Sequence, residues 1–247
     1  MGRLDRLAMG PGWARVSTDV QVYLKGWSKN ASLFSARDMQ SSTNGEARVW
    51  TGTLAPNQSQ GPAVQVVQTL REQAGKVAFD LSATGVRDGD IEGVLFLVKF
   101  PAQDFAGGSL QVKTKSVRLP EKLPPNIVLW IGQAGTMVFA DAGQRTRVSV
   151  EASPALRVMV QDGRKWAQEF TAMIYLQRGN LAQGQTARAT FTLAAEGQPD
   201  QMPASASVEA SKVRYRVAGM GGNYCFNNSP VTTRCWSVSG RRRMAQG

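Results

Sequence analysis

The sequence predicts an all-β protein, a large antiparallel β-sandwich of the supersandwich or jelly-roll type with about a dozen strands. Three observations predict this fold. Apolar and polar residues alternate at every second position along most of the chain, as they do in half-buried strands. Turn-forming clusters that contain Gly and Asp separate these segments. No stretch has the 3.6-residue periodicity of a long helix, and no strand–helix–strand rhythm occurs.

The alternation marks thirteen strand segments. In chain order they are 18–26, 46–55, 64–72, 75–84, 91–100, 109–117, 127–132, 135–140, 145–151, 155–161, 169–178, 186–194 and 206–217. Turn signals such as Arg87-Asp88-Gly89-Asp90 and Asp162-Gly163 lie between them. Short connections of this kind join antiparallel neighbours, which predicts sheets packed face to face.

One segment differs from the alternating ones. Residues 94–98 are consecutively apolar, which predicts a central strand covered on both faces. The segment 102–106, which follows it, allows a short helix.

Length and composition are compatible with a single sandwich. The chain has 247 residues, of which 42% are hydrophobic, enough for a sizeable core. We predict a β-sandwich domain over 1–217 and an irregular basic tail over 218–247. No apolar run approaches the roughly 18–20 residues of a membrane helix, so no membrane partner is expected. The N-terminal residues contain no apolar core of a signal peptide.

The charge distribution argues against a nucleic-acid surface. The net charge is +11, but seven of the 29 basic residues lie in 211–247, which has no Asp or Glu. The other 210 residues carry 22 basic and 18 acidic groups, a net charge of only +4. Nucleic-acid binding requires a basic stripe that displaces counterions from phosphates. We therefore expect nucleic acid not to be a partner.

The absence of histidine excludes several catalytic systems. The chain has no His, which removes Ser-His-Asp and Cys-His nucleophiles and HExxH zinc sites. With only Cys225 and Cys235 as thiols, we expect no metal and no cofactor. Paired carboxylates could still run a glycosidase. Asp88, Asp90 and Glu92 lie in a turn signal, however, where Asp is expected for backbone hydrogen bonds, so we assign no catalytic residue.

Aromatic residues near polar groups are the main candidates for ligand binding. Sugar rings present C–H faces that stack on aromatic side chains, and their hydroxyls need Arg, Asp, Asn or Gln partners. The predicted hairpin loop 161–169 combines such groups. The predicted carbohydrate-binding residues are Trp166, Asp162, Arg164, Gln168 and Trp27. The alternative is that the tryptophans fill the core, which we favour for Trp50 and Trp130 because apolar strand residues flank them.

Two stretches resemble a known arrangement of domains. The segment 156–193 resembles the closing strands of the β-sandwich domain that precedes a (β/α)8 catalytic barrel in bacterial, cellulase-like glycoside hydrolases. The segment 213–231, with Gly-Gly-Asn-Tyr-Cys-Phe, resembles the entry to that barrel. Residues 232–247 depart from any barrel pattern, which suggests a truncated or frame-shifted reading frame. The resemblance implies an extracellular or periplasmic location and carries over no catalytic residue.

Three functions follow from these observations, in decreasing order of preference. The first is a carbohydrate-associated accessory domain that binds polysaccharide or buttresses a glycosidase catalytic domain. The second is a standalone hydrolase or lyase acting on polysaccharide, for which Tyr23, Tyr175 and Tyr215 are available. The third is nucleic-acid binding through the basic C-terminus.

Overall fold

The computed structural model describes residues 4–9, 12–57, 60–73 and 75–197. The strands are β1 Arg6–Met9, β2 Gly12–Arg15, β3 Ser17–Leu24, β4 Asn30–Ser32, β5 Gln40–Asn44, β6 Ala47–Leu54, β7 Ala63–Gln73, β8 Lys76–Arg87, β9 Ile91–Pro101, β10 Ser109–Val112, β11 Lys115–Arg118, β12 Val128–Ala140, β13 Thr146–Asp162, β14 Glu169–Arg178 and β15 Thr186–Gly197. One short helix, α1 Ala102–Phe105, and two 3₁₀ turns, Lys25–Trp27 and Leu33–Ser35, complete these elements.

The strands form one curled antiparallel sheet of thirteen strands and a separate β1–β2 hairpin. The main order is β4-β3-β9-β14-β13-β15-β8-β7-β6-β5, and β12 links β13 to the β10–β11 hairpin. β13 is where the sheet folds over. Its first half, Thr146 to Ser153, pairs with β15, whereas Val158 to Asp162 pair with β14. The strands on either side of β13 therefore form two facing layers.

The core lies between these layers and is built from phenylalanines. Phe96 of β9 stacks on Phe191 of β15 with 4.4 Å between ring centroids, although the two strands are not hydrogen-bonded neighbours. Phe100 of β9 stacks on Phe139 of β12 at 3.9 Å. All four rings are essentially inaccessible to solvent. Burial of each such side chain contributes about 1.5–3 kcal/mol, which explains why alternating strands close into a sandwich.

The predicted all-β antiparallel fold is confirmed. Some predicted boundaries were wrong. The segments 127–132 and 135–140 form one strand, β12, because Gly135 falls at a register shift between Ala134 and Thr136 instead of a turn. The segments 145–151 and 155–161 are likewise one strand, β13, in which Pro154 lies between the two paired halves. The segment 109–117 is a hairpin, β10–β11, and the short strands β1, β2, β4 and β5 were not predicted.

The central strand was predicted correctly. β9 lies between β3 and β14, and all residues from Val94 to Val98 are buried. Val94, Phe96 and Val98 belong to the main core, whereas Leu95 and Leu97 belong to a second apolar cluster. Side chains alternate between faces along a strand, so this second cluster lies on the side of β3, β9 and β14 away from the core. We call this side the outer face.

Other expectations fall outside the described residues: the predicted strand 206–217, the tail 218–247, and Cys225 and Cys235. Among the residues that are described, no helix is long and apolar enough to cross a membrane.

Candidate functional site

Three aromatic side chains meet at one end of the outer face. Trp27 lies edge-on to Tyr23 with 4.9 Å between ring centroids, and edge-on to Tyr175 at 6.5 Å. Tyr23 comes from β3, Trp27 from the 3₁₀ turn after β3, and Tyr175 from β14. Trp27 remains 38% exposed, whereas Tyr175 is 7% exposed. We call Tyr23, Trp27 and Tyr175 the aromatic cluster.

The backbone of the turn holds Trp27 over the two tyrosines. Gly26 and Trp27 both have left-handed backbone angles, with φ of 73° and 62°. Such a φ is uncommon for a bulky residue, and conformations of this kind cost about 1–3 kcal/mol unless surrounding contacts hold them. Gly26 N donates to Glu92 Oε2 at 3.3 Å, and Leu24 N donates to the Lys29 carbonyl at 2.9 Å. The first bond ties the turn to the start of β9, and the second closes the connection between β3 and β4.

A glycine makes room for the cluster. Gly93 of β9 pairs with Tyr23 on one side and with Arg178 on the other. A Cβ on Gly93 would lie 3.1 Å from Cδ1 of Tyr175, so the Tyr175 ring leans over this position. The absence of a side chain at Gly93 therefore allows the aromatic side chains of β3 and β14 to approach each other across β9.

Next to the aromatic cluster lies a set of hydrogen-bonded polar side chains, Asp19, Gln21, Asn30 and Ser32, which we call the polar network. Ser32 Oγ donates to Asp19 Oδ1 at 2.8 Å, and Gln21 Nε2 donates to the other carboxylate oxygen of Asp19. Asn30 Nδ2 donates to Gln21 Oε1 at 2.9 Å. Asn30 also stands opposite Tyr23 in the β3–β4 ladder, which joins the network directly to the aromatic cluster.

The environment changes the acidity of two groups. Burial raises the pKa of the Asp19 carboxyl, although hydrogen bonds from Gln21 and Ser32 and the charge of Lys99 oppose the shift. Burial and the charge of Glu92 also raise the pKa of Tyr175, against the opposing charges of Arg157 and Arg178. The Tyr175 phenol therefore stays neutral and can donate a hydrogen bond, and Asp19 protonates more readily than an ordinary Asp.

Between its two ends, the outer face carries apolar side chains. Leu95, Leu97 and Met173 are at most 3% exposed, and Met159 packs against them. At the far end, Lys99 Nζ pairs with Glu169 Oε1 at 3.0 Å.

The structure gives the residues predicted in loop 161–169 different roles. The Asp162 side chain is fully buried and accepts from Arg164 Nε at 2.9 Å and from Arg164 Nη2 at 2.6 Å. Arg164 also donates to the carbonyls of Pro120 and Glu121 at 2.8 and 2.6 Å and lies over the Phe170 ring. These contacts anchor the loop to the 120–121 segment. Trp166, 63% exposed, and Gln168 are left on the surface.

The structure does not bring Trp27 and Trp166 together. Gly93, beside Trp27, and Pro101, which pairs with Glu169 near Trp166, are separated by eight steps along β9. At a strand rise of about 3.3 Å per residue this corresponds to about 26 Å. Trp27 and the loop of Trp166 thus lie near opposite ends of β9.

Sequence reasoning missed the polar network. Asp19 and Gln21 alternate with Val20 and Val22 in β3, which is the pattern of an ordinary solvent-facing side. Both are only 8% exposed. Their burial depends on β4, whose three residues carry no recognisable strand signal. Within the described part of the chain, no cluster of three or more His, Cys, Asp or Glu side chains could hold a metal ion.

Several solved structures resemble this chain in backbone trace, at low sequence identity. No family model matches the sequence, and no curated protein matches it significantly. A galactose mutarotase-like protein from Lactobacillus casei is 10% identical, with a TM-score of 0.46 over 77% of this chain and 80% of that one. The α-N-acetylgalactosaminidase NagBb from Bifidobacterium bifidum is 10% identical, with a TM-score of 0.48 over 80% of this chain and 37% of that one. The 4-α-glucanotransferase from Thermococcus litoralis is 8% identical, with a TM-score of 0.45 over 73% of this chain and 27% of that one.

All three similarities have TM-scores below 0.5, so none of them assigns a function to this chain. At identities of 8–10%, no site residue is transferred from them to this sequence.

Proposed function

We propose that the protein is a carbohydrate-binding β-sandwich domain that holds a polysaccharide chain against its outer face. The observation that carries this proposal is the position of the polar network directly beside the aromatic cluster. The exposed part of Trp27 offers a stacking surface for the C–H face of a sugar ring. Asn30, which is exposed, offers its amide group to a hydroxyl of the same sugar, and Gln21 holds Asn30 in place.

The loop of Trp166 supplies a second contact in this proposal. Asp162 and Arg164 act there as anchors, because their charged groups already bond to each other and to backbone carbonyls. The exposed Trp166 and Gln168 are then the groups that touch the ligand. The wider role, as accessory to a glycosidase catalytic domain, is supported by the sequence resemblance over 156–231.

Asp19 favours a second candidate function, hydrolysis of the bound polysaccharide. A carboxyl whose burial raises its pKa beside a ligand-binding surface has the properties of a general acid. Hydrolysis also needs a second carboxylate. The outer face offers Glu92, which accepts from Gly26 N, and Glu169, which pairs with Lys99. Release of reducing ends that is lost in Asp19→Asn would support this candidate.

The proposed binding is tested with a panel of soluble polysaccharides, scored by affinity electrophoresis and isothermal titration calorimetry. Trp27→Ala should weaken binding by about 2 kcal/mol, or roughly thirtyfold, if Trp27 is a central contact residue. Trp13→Ala is the matched control, because Trp13 is 59% exposed and lies in the β1–β2 hairpin, away from the outer face.

Trp166→Ala measures the second contact. Trp166→Ala should lower the affinity less than Trp27→Ala does, because the polar network lies beside Trp27 and not beside Trp166. Equal affinity of wild type and Trp27→Ala for every bound polysaccharide, or no binding to any member of the panel, would refute the proposal.

A further inference from the structure

A cavity of about 480 Å³ opens beside the polar network. It lies between edge strand β4 and the 3₁₀ turn Leu33–Ser35 on one side, and the ends of β6 and β8 on the other. Its polar lining includes Arg37, Arg87, Asp38, Ser35, Asn30 and Ser32. A volume of this size accommodates a single sugar unit or a comparable small group. We call it the arginine cavity.

Two guanidinium groups line the arginine cavity. Arg87 is held in place, since its Nε donates to the Gly61 carbonyl at 3.1 Å. Arg37 is exposed, and among the described residues it forms no ion pair. Among the described residues of the lining, the acidic group is Asp38, which accepts from Thr53 N at 2.9 Å, and hydrogen bonding to Thr53 lowers its pKa. The described part of the lining thus carries two guanidinium groups and one carboxylate, and this carboxylate already accepts a hydrogen bond from the backbone.

The arginine cavity is continuous with the proposed sugar-binding surface. Asn30 and Ser32 line the cavity and also bond to Gln21 and Asp19 of the polar network. Asn30 stands opposite Tyr23 of the aromatic cluster. A sugar on the aromatic cluster and a group in the cavity would therefore both lie next to the three-residue strand β4.

From this arrangement we infer that the polysaccharide is acidic, and that the carboxylate of a hexuronate unit enters the arginine cavity between Arg37 and Arg87. Guanidinium groups bind carboxylates through paired, charge-assisted hydrogen bonds, which fits two arginines at one cavity. Ser35 and Asn30 are placed to bond the hydroxyls of the same unit. The inference rests on the proposed sugar-binding function and specifies its substrate class.

The test compares polygalacturonate with the fully methyl-esterified form of the same polymer, using the full chain. Esterification removes the negative charge and keeps the backbone of the ligand. Polygalacturonate should bind at least about tenfold more tightly, and Arg37→Gln and Arg87→Gln should each remove most of that difference. In both variants, affinity for the esterified polymer should fall by a smaller factor than affinity for polygalacturonate, because the ester carries no negative charge for the guanidinium groups to bind.

The control is Arg48→Gln. Arg48 is exposed on β6 outside the cavity lining, so its replacement removes the same charge from the protein without touching the cavity. Arg48→Gln should keep the preference for the acidic polymer. If it lowers the preference as much as Arg37→Gln, the preference reflects overall charge and the inference is wrong.

Failure of the inference and failure of the proposed function give different results. Equal binding of both polymers that is lost in Trp27→Ala would overturn the assignment of the arginine cavity as a carboxylate site, and would support the outer face as the sugar-binding surface. Binding of free galacturonate that depends on Arg37 but is unaffected by Trp27→Ala would support the arginine cavity as an anion site, and would overturn the assignment of the outer face as the sugar-binding surface. Absence of any binding would overturn both.

Discussion

Replacing Gly93 by alanine should destabilise the protein and disturb the aromatic cluster at the same time. A Cβ at this position would lie 2.4 Å from the carbonyl oxygen of Gln177 and 3.1 Å from Cδ1 of Tyr175. Ordinary contacts begin at 3.4 Å, so β9 and β14 would have to separate by about 1 Å at the register shift near Tyr175. Overpacking of this kind costs about 1–3 kcal/mol.

Urea denaturation followed by tryptophan fluorescence measures the change in the free energy of unfolding, and titration with the polysaccharide measures the effect on binding. Gly135→Ala is the matched control, because Gly135 also lies in a strand and its nearest contact would be 3.5 Å, to the Ala155 side chain. The control should change the free energy of unfolding by less than about 0.5 kcal/mol. Equal effects of the two substitutions would refute the assignment of Gly93 as the position that accommodates Tyr175.

Three further predictions concern stability. Burial raises the pKa of Asp19, so its stabilising contribution is present below the unfolded pKa and is lost as pH rises through the folded value. Asp19→Asn should therefore gain stability relative to wild type from acidic to neutral pH in urea titrations, and a constant difference would contradict this. Asp162→Asn removes the carboxylate that pairs with Arg164 and should cost about 3–5 kcal/mol by thermal or urea unfolding. A loss below 1 kcal/mol, which is about the value of an exposed pair, would show that the pair does not anchor the loop. Phe96→Ala removes the stack on Phe191 and the tilted ring contact with Phe79 and should cost about 3–5 kcal/mol, whereas Leu123→Ala, at a 47% exposed position, should be nearly neutral. Similar losses in these last two variants would contradict the placement of the core.

Much of the fold could be predicted from local patterns. Alternation in segments such as 75–84 and 169–178 predicted strands that β8 and β14 confirm, because side chains two residues apart lie on the same face of a strand. The breaks placed at 133–134 and 152–154 were wrong, because Gly and Pro mark bulges within long strands as well as turns between strands. The short strands β4 and β5 gave no periodicity long enough to detect.

The candidate site was predictable only in part. Trp27 was predicted as a binding residue from its type and position, but nothing in the local sequence linked it to Tyr175, which is far along the chain. The two meet because β9 pairs with both β3 and β14. Asp162 and Arg164 had the composition of a ligand-binding loop, and only the contacts with Pro120 and Glu121 show that Arg164 holds the loop in place.

The sequence by itself determined the all-β class and the central apolar strand, since these follow from residue type and from a two-residue period. The tertiary structure alone decided that Asp19 is buried, that Asn30 bonds to Gln21, and that Arg37 and Arg87 line one cavity. The physical reason is that strand order depends on how the whole sheet buries its apolar faces. The strand order places residues that are distant in the chain beside one another, and no short segment of the sequence specifies that order.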